Sequence, residues 1–267
     1  MSDSDILLNN QDPRGVVTLT MNRPEQFNAL GEEMLAALQS AFDQLGQDES
    51  ARLVVLAAAG KAFCPGHNLK EMIASPELPY YQKLFAQCSR LMLSIQRLPL
   101  PVIARVQGIA TAAGCQLVAQ CDLAVASTEA KFAVSGVNLG LFCSTPSVPL
   151  VRNMAPKHAM EMLLTGEFIS AQQALDRALV NRVAAPDQLD AEVEKLVMAI
   201  VAKPRIAIAM GKELFYRQRE MGIDAAYQLA GQTMAVNMIH DSAQEGVRAF
   251  TEKRKPDWAS AGTPKSR

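Results

Sequence analysis

The chain has 267 residues, of which 49% are hydrophobic and 20% charged, and its formal net charge is −1. These values are typical of a globular protein with a large core, and they exclude a broad basic surface for nucleic acid. The five cysteines include no C-x-x-C pair and the three histidines are widely spaced, so the sequence predicts a reduced compartment and no metal centre.

Strands and helices alternate along the first hundred residues. Short apolar runs bounded by turn residues indicate strands, and apolar residues repeating every three or four positions indicate helices. A loop that contains Pro24 separates the second strand from the first helix. The predicted elements are strands at 6–9, 16–21 and 53–57, a loop at 58–66, and helices at 31–48, 69–73 and 84–98.

The centre of the chain predicts a strand that leads through a turn of small residues into a helix. Residues 102–106 form a buried strand, Gly108 marks the turn, and residues 112–120 have helical composition. The first N–H groups of a helix lack internal partners and carry partial positive charge, so this turn is a candidate anion site. Gln116 lies one helical turn after Ala113. Tight helix packing explains the same small residues equally well.

The remaining sequence is mostly helical. Ser170 and Gln173 form a helix N-cap pattern, and three further short strands precede or accompany the helices. We therefore predict an α/β fold with a parallel core at residues 1–200 and a helical region at 201–267. The predicted elements are strands at 123–126, 131–134 and 180–184 and helices at 174–178, 186–202, 205–219, 223–240 and 241–255.

The N-terminal segment has no feature of a targeting sequence. Residues 1–5 are acidic, without an apolar run or an arginine-rich amphipathic stretch, and no stretch of the sequence is long and apolar enough to span a membrane. From this we expect a cytoplasmic protein that does not associate with membranes.

Five stretches together resemble a known family, and they occur in the family's order along nearly the whole chain. They are 22–30 (NRPEQFNAL), 61–72 (KAFCPGHNLKEM), 106–116 (VQGIATAAGCQ), 132–140 (FAVSGVNLG) and 245–256 (EGVRAFTEKRKP). The sequence resembles the crotonase superfamily of enoyl-CoA hydratases and isomerases. Residues 137–146 and the tail are most similar to the enoyl-CoA hydratase domain-containing protein 3 type.

The resemblance implies a crotonase-like spiral of ββα units with a C-terminal helical trimerisation region, assembled as a homotrimer or a dimer of trimers. It also implies an acyl-CoA thioester as ligand, with coenzyme A as part of the substrate and no permanently bound cofactor. Two backbone amides, matching His67 and Ala113, would hold the thioester oxygen. Such donors stabilise the negative charge of an enolate, and one of them contributes about 3–4 kcal/mol.

Two departures from the family concern its catalytic glutamates. Gln116 and Gly136 stand at the positions that carry them in typical hydratases. An amide cannot take a proton at neutral pH, and glycine has no side chain. Since general acid–base catalysis contributes about 10²–10⁴-fold, we expect weak hydration. None of the nearby polar residues is acidic; they are Ser135, Asn138, Cys143, Ser144 and Thr145. Cys143 has no activating base close in sequence.

The resemblance also implies coenzyme A contacts. It places the base against loop 28–30, the phosphates near three cations, and the tail of a neighbouring subunit over the ligand. For the tail cations at 253–255, a solvated helix end is an equally good explanation. The implied ligand-binding residues are Arg23, Asn28, Ala29, Leu30, Lys61, Gly66, Asn68, Leu69, Lys70, Phe250 and Lys253.

Two classes of function follow from the sequence. The first is an enzyme of fatty-acid or acyl-CoA metabolism, a hydratase or isomerase by family, with decarboxylation and thioester hydrolysis open because they use the same oxyanion site. The second is a non-catalytic protein that binds acyl-CoA. The acyl chain, the reaction, and the choice between trimer and hexamer are not determined by the sequence.

Overall fold

The computed structural model describes residues 5–258. The chain divides into two compact units, with the division after Val197. The first unit contains all the strands of the described residues and most of the helices, and the second is helical. The strands in chain order are β1 (Leu7–Gln11), β2 (Val16–Met21), β3 (Leu53–Ala58), β4 (Ala62–Cys64), β5 (Val102–Val106), β6 (Ile109–Thr111), β7 (Leu123–Ser127), β8 (Lys131–Ala133), β9 (Ile169–Ser170) and β10 (Arg182–Ala184).

The helices follow the predicted apolar periodicity. Ser170 and Gln173 form a complete capping box at the start of the seventh helix, as the sequence predicts. The helices are α1 (Glu32–Leu45), α2 (Leu69–Ala74), α3 (Leu78–Arg97), α4 (Ala113–Gln120), α5 (Ser144–Asn153), α6 (Pro156–Thr165), α7 (Ala171–Asp176), α8 (Leu189–Val201), α9 (Arg205–Gln218), α10 (Ile223–Ile239) and α11 (Asp241–Thr251).

The strands form two sheets. The larger has the order β1-β2-β3-β5-β7-β10 and is parallel except for the β1–β2 hairpin. All six residues of β3 are buried, which is typical of a parallel strand covered on both faces. The smaller sheet has the order β4-β6-β8-β9, with only β8–β9 antiparallel.

From β3 to β8, successive strands alternate between the two sheets. The chain runs β3, β4, α2, and later β5, β6, α4, so each ββα unit contributes one strand to each sheet. This is the crotonase arrangement that the resemblance implies. The sequence missed β4 and β6, which we expected as loop and turn, because a three-residue strand is too short to show a period of two.

Close backbone contact joins the smaller sheet to α4. A Cβ atom on Gly114 would lie 2.1 Å from the carbonyl oxygen of Cys64, at the end of β4. Glycine is therefore required here, because no other residue lets the first turn of α4 approach β4 so closely. The same contact brings the residues that follow Cys64 beside the start of α4.

Across residues 5–258, every helix falls short of the length or the hydropathy that a membrane crossing requires.

Replacing Gly114 by alanine tests this contact. We expect Gly114→Ala to lower the free energy of unfolding by about 3 kcal/mol or more, because the added methyl group meets a backbone carbonyl. Gly211→Ala, within α9, is the matched control. Its Cβ would have open space around it, so it should raise the free energy of unfolding by about 0.5–1 kcal/mol. Urea unfolding of both variants measures the difference, and equal stabilities would contradict the contact.

Candidate functional site

A cavity of about 770 Å³ lies in the first unit. Its walls come from the loop before α1, the segment from β4 into α2, the end of β6 with the start of α4, and residues 135–146. Apolar side chains that are exposed at the surface surround much of it. These are Phe27, Leu69, Leu139, Leu141 and Phe142.

Two segments of neighbouring ββα units meet at the floor of this cavity. Gly66 has a φ of +102°, and a Cβ on it would lie 2.9 Å from the Ala112 Cβ and 3.1 Å from the Ala113 nitrogen. Ala113 is the first residue of α4, so its N–H has no acceptor within its own helix. Glycine at position 66 therefore lets the segment before His67 lie in close contact with the start of α4.

Ala112 has an unusual backbone conformation, with φ 50° and ψ −121°. This region favours glycine, and a residue with a side chain held there is strained by about 1–3 kcal/mol. The Ala112 N–H donates to the Ala133 oxygen at 3.0 Å, which fixes the turn against β8. The strained turn joins β6 to α4, and Ala113, which follows it, lines the cavity.

His67 is fixed on the other side of the same floor. It pairs with Leu30 in a parallel bridge, in which the Leu30 N–H donates to the Gly66 oxygen at 2.8 Å. In a parallel bridge the paired residue's own N–H points away from its partner, so the His67 N–H is directed away from Leu30. His67 and Ala113 both line the cavity.

The His67 imidazole is held in one tautomer. Its Nδ1 lies 3.1 Å from the Leu30 carbonyl oxygen, which only accepts, so Nδ1 carries the proton. The Nε2 atom is shielded from solvent and has no hydrogen-bond partner in the described residues. Burial lowers the pKa of His67, against weaker opposing effects of the Leu30 hydrogen bond and the Glu71 charge. The ring is therefore neutral at pH 7.

Gln116 and Gly136, at the positions of the two family glutamates, differ in whether they line the cavity. Gln116 is 3% exposed, and its Oε1 is buried without a partner in the described residues. It is not among the residues that line the cavity. Gly136 lines the cavity, but a Cβ there would lie 2.5 Å from the Leu141 oxygen and 2.7 Å from the Cys143 Sγ. The space that a side chain at position 136 needs is therefore already occupied.

Cys143 is a neutral thiol in this wall. Its Sγ accepts a hydrogen bond from the Gly136 N–H at 3.3 Å, and burial raises its pKa. The other titratable side chains of the cavity are Glu25, His67 and Lys70. Glu25 and Lys70 are exposed, and the imidazole is fixed on Leu30. No activated nucleophile is present among the described residues of the cavity.

The loop predicted to contact the coenzyme A base is closed by internal hydrogen bonds. Asn28 is fully buried, and its side chain accepts from the Arg23 N–H and donates to the Ala59 and Ala62 oxygens. The N–H groups of Asn28, Ala29 and Leu30 all donate to acceptors within the protein. A ligand that contacts this loop therefore meets its carbonyl groups and side chains. Ala29 alone of the three lines the cavity.

Of the three predicted phosphate-binding cations, Lys70 alone is among the described residues that line the cavity. Lys70 is exposed at the start of α2 and lines the cavity, whereas Lys61 is exposed in the turn before β4 and does not. Arg23 is half-buried, and its Nη1 donates to the Asn22 oxygen. Asn68 caps α2 by accepting from the Lys70 N–H, which fixes the cavity edge at Leu69.

The sequence matches the family described as enoyl-CoA hydratase/isomerase over residues 11–261. The chain belongs to this family. Its members act on CoA thioesters, and the chain is an enoyl-CoA hydratase-like protein.

Named relatives and solved structures agree with that assignment. Enoyl-CoA hydratase domain-containing protein 3, mitochondrial, of Xenopus laevis is 44% identical over 248 residues, 93% of this chain and 84% of that protein. A crystal structure of an enoyl-CoA hydratase from Mycobacterium smegmatis is 65% identical, covers 96% of this chain and 99% of its own, and has a TM-score of 0.95. The crystal structure of human enoyl-CoA hydratase domain-containing protein 3 is 40% identical and has a TM-score of 0.92. The match covers 95% of this chain and 100% of that one. These matches confirm the superfamily and the type that the motifs suggested.

The relatives correct the expected location. We predicted a cytoplasmic protein, but the relatives from Xenopus laevis, Mus musculus and Homo sapiens are all named mitochondrial, so that prediction is wrong. The physical reason is that composition and secondary-structure pattern reflect how a chain folds and do not determine the compartment to which it is delivered.

Two tail residues lie in the second unit. Phe250 is 84% exposed at the end of α11, and Lys253 is exposed with φ 53°. Their contact with a ligand across a subunit boundary stays a prediction.

Sequence reasoning missed Thr111 as a cavity residue. Its hydroxyl lies 2.9 Å from that of Ser135, and both residues line the cavity. The signal was weak because Thr111 ends a strand that the sequence analysis did not identify. Recognising residues 109–111 as a strand would have placed Thr111 at the carboxyl edge of a parallel sheet, where binding residues collect.

The neutral imidazole of His67 predicts a pH dependence of stability. Below about pH 6.5 the unfolded chain protonates this histidine, whereas the folded protein with its lowered pKa does not. The contribution of His67 to stability is therefore present above that pH and decreases as the pH falls towards the folded pKa. Replacing the ring by an amide in His67→Gln should make the loss of stability between pH 7.5 and about pH 5 smaller.

Urea unfolding of the wild type and of His67→Gln over this pH range measures that difference. An NMR titration of the three histidines is the direct check. A His67 midpoint at or above the value of the unfolded chain would contradict the assignment.

Proposed function

We propose that this protein binds acyl-CoA thioesters with the carbonyl oxygen between the amide N–H groups of His67 and Ala113, and that it acts through an enolate-like intermediate. The observation that carries this proposal is that His67 and Ala113 both line the cavity, on two segments that glycine at position 66 allows to lie in close contact. The family's action on CoA thioesters supports the choice of ligand.

The proposed chemistry depends on donors that are oriented before the substrate arrives. Removing the α-proton, or adding a group at the β-carbon, moves negative charge onto the thioester oxygen. The strained turn at Ala112 and the Leu30–His67 pairing hold the two amides in place without the substrate. The partial positive charge at the start of α4 adds to the effect. Each such donor contributes about 3–4 kcal/mol to stabilising the developing charge.

Efficient hydration is not part of the proposal. Hydration needs groups that activate water and return its proton, and each such group contributes about 10²–10⁴-fold. Gln116 is a buried amide outside the cavity lining, and position 136 has no room for a side chain. Decarboxylation fits better, because loss of CO2 from a carboxyacyl thioester leaves the enolate without removal of a proton. Isomerisation and thioester hydrolysis use the same oxyanion site, but they need a base or an activated water that the described lining residues do not supply.

The rest of the ligand follows from the cavity edge. The apolar rim formed by Phe27, Leu69 and Leu141 suits the acyl and pantetheine chains. Lys70 at this rim is the first candidate for the phosphates, with Arg23 and Lys61 further away. In this proposal coenzyme A enters only as part of the substrate, and Phe250 and Lys253 of a neighbouring subunit in a trimer, or a dimer of trimers, cover it.

A second candidate function is acyl-CoA binding without catalysis. It is favoured by the cavity's lack of a buried carboxylate, since Glu25 is the only acidic residue among the described lining residues and it is exposed. The same two amides would then provide affinity alone.

Proline at position 113 tests the proposal. Proline is tolerated at the first position of a helix and lacks the N–H in question, but it also disfavours the conformation of Ala112 before it, so the variant should lose stability as well. We expect Ala113→Pro to bind butyryl-CoA about three- to tenfold more weakly than the wild type, the effect of one neutral hydrogen bond. Ala113→Gly keeps the N–H and is the matched control. Calorimetric titration measures the affinities, and circular dichroism confirms folding.

The same preparations give the catalytic outcome. Loss of the conjugated thioester absorbance of crotonyl-CoA measures hydration, and we expect wild-type turnover below about 1 per second, the lower end for ordinary enzymes. Gln116→Glu restores a carboxylate, but position 116 lies outside the cavity lining, so this rate should stay low. Unchanged butyryl-CoA affinity in Ala113→Pro would contradict the oxyanion site, and rapid wild-type hydration would contradict the account of the missing glutamates.

A further inference from the structure

A pair of hydroxyl groups lies in the wall of the cavity. Thr111 ends β6, which pairs in parallel with β8 through Thr111 and Ala133, and Ser135 follows two residues later. The two side-chain oxygens are 2.9 Å apart, and both residues line the cavity. Thr111 precedes the Ala113 amide by two residues, and Ser135 directly precedes Gly136. The pair is therefore next to the proposed oxyanion site.

The hydrogen-bonding capacity of this pair is incompletely used. One hydroxyl proton forms the bond between the two oxygens, which leaves one proton and several lone pairs. Within residues 5–258, neither side chain has a second hydrogen-bond partner. Ser144, which also lines the cavity, differs because its hydroxyl donates to the Phe142 carbonyl at 3.3 Å. Unused hydrogen-bonding groups that a hydrocarbon ligand covers lose water without replacement, which weakens binding.

The surroundings of the pair are neutral. Cys143, beside Gly136, is kept as a thiol by its raised pKa, and Gly136 contributes no side chain. The charged residues of the cavity, Glu25 and Lys70, are exposed. A group that satisfies the pair should therefore be uncharged and able to accept or donate a hydrogen bond. A hydroxyl or carbonyl oxygen has these properties.

We propose that Thr111 and Ser135 determine specificity by binding a neutral oxygen substituent on the acyl chain close to the thioester. The protein then prefers an oxygenated acyl-CoA to the plain acyl-CoA of the same length. This proposal rests on the proposed function, because the thioester must first be bound at the amides of His67 and Ala113.

The test compares two ligands that differ by one oxygen. Butyryl-CoA and 3-hydroxybutyryl-CoA are titrated calorimetrically into the wild type, Thr111→Val, Ser135→Ala and the control Ser144→Ala. Valine has nearly the shape of threonine, so Thr111→Val removes the hydroxyl and preserves packing. Circular dichroism confirms folding, and absorbance of the conjugated thioester verifies that the hydroxyacyl ligand has not lost water.

The wild type and Ser144→Ala should bind 3-hydroxybutyryl-CoA about three- to tenfold more tightly than butyryl-CoA, as expected for one neutral hydrogen bond. Thr111→Val and Ser135→Ala should lose this preference, with butyryl-CoA affinity changed by less than about twofold, since they leave the amides intact. If the wild type binds butyryl-CoA and 3-hydroxybutyryl-CoA equally well, or if Thr111→Val still prefers 3-hydroxybutyryl-CoA, this proposal is overturned. The proposed acyl-CoA site is then unaffected. If neither ligand binds the wild type, the proposed function is overturned together with it.

Discussion

The close approach of two backbone segments at Gly66 and Gly114 is the constraint on which the cavity depends. Strands β4 and β6 pair in parallel through Cys64 and Ala110, so the residues after each strand emerge side by side. Gly114 lets α4 begin against the Cys64 carbonyl, and Gly66 lets the next residues pack against Ala112 and Ala113. A side chain at either glycine would force the two segments apart.

Around this contact the protein provides hydrogen-bond donors but few groups that transfer protons. The Ala113 N–H has no hydrogen-bond acceptor within its own helix, the His67 imidazole is neutral, and the Cys143 thiol has a raised pKa. Such a site can stabilise negative charge on an oxygen by fixed dipoles, and it offers little help in moving a proton. This balance explains why a member of a family that acts on CoA thioesters is proposed here to hydrate them poorly.

The predictability of the fold varied with the length of each element. Strands β2, β3 and β5 were predicted nearly to their ends because their apolar runs are bounded by turn residues. Helix α3 begins at Leu78 rather than at the predicted residue 84, and α5 and α6 were covered only by the expectation of a mostly helical region. The cap at Ser170 was predicted because its two partners are close in sequence. Strands β4 and β6 were missed, since their pairing with each other is non-local and three residues carry no period.

The site was predictable where a family motif fixes the backbone, and less so where neighbouring chain decides the outcome. His67 and Ala113 both line the cavity, and their role as donors to a thioester oxygen stays a prediction. The burial of Gln116 outside the lining and the occupation of the space at Gly136 depend on segments distant in sequence or on the fold of residues 141–143. The internal use of the N–H groups at 28–30 likewise follows from loop closure, which no local pattern reveals.

The most direct test of the account is a crystal structure of the protein with butyryl-CoA. The account predicts the thioester oxygen within about 3.1 Å of both the His67 and the Ala113 nitrogen, the distance at which amide donors bind an oxyanion. A thioester oxygen bound away from these two amides, in a complex with full occupancy of the ligand, would contradict it.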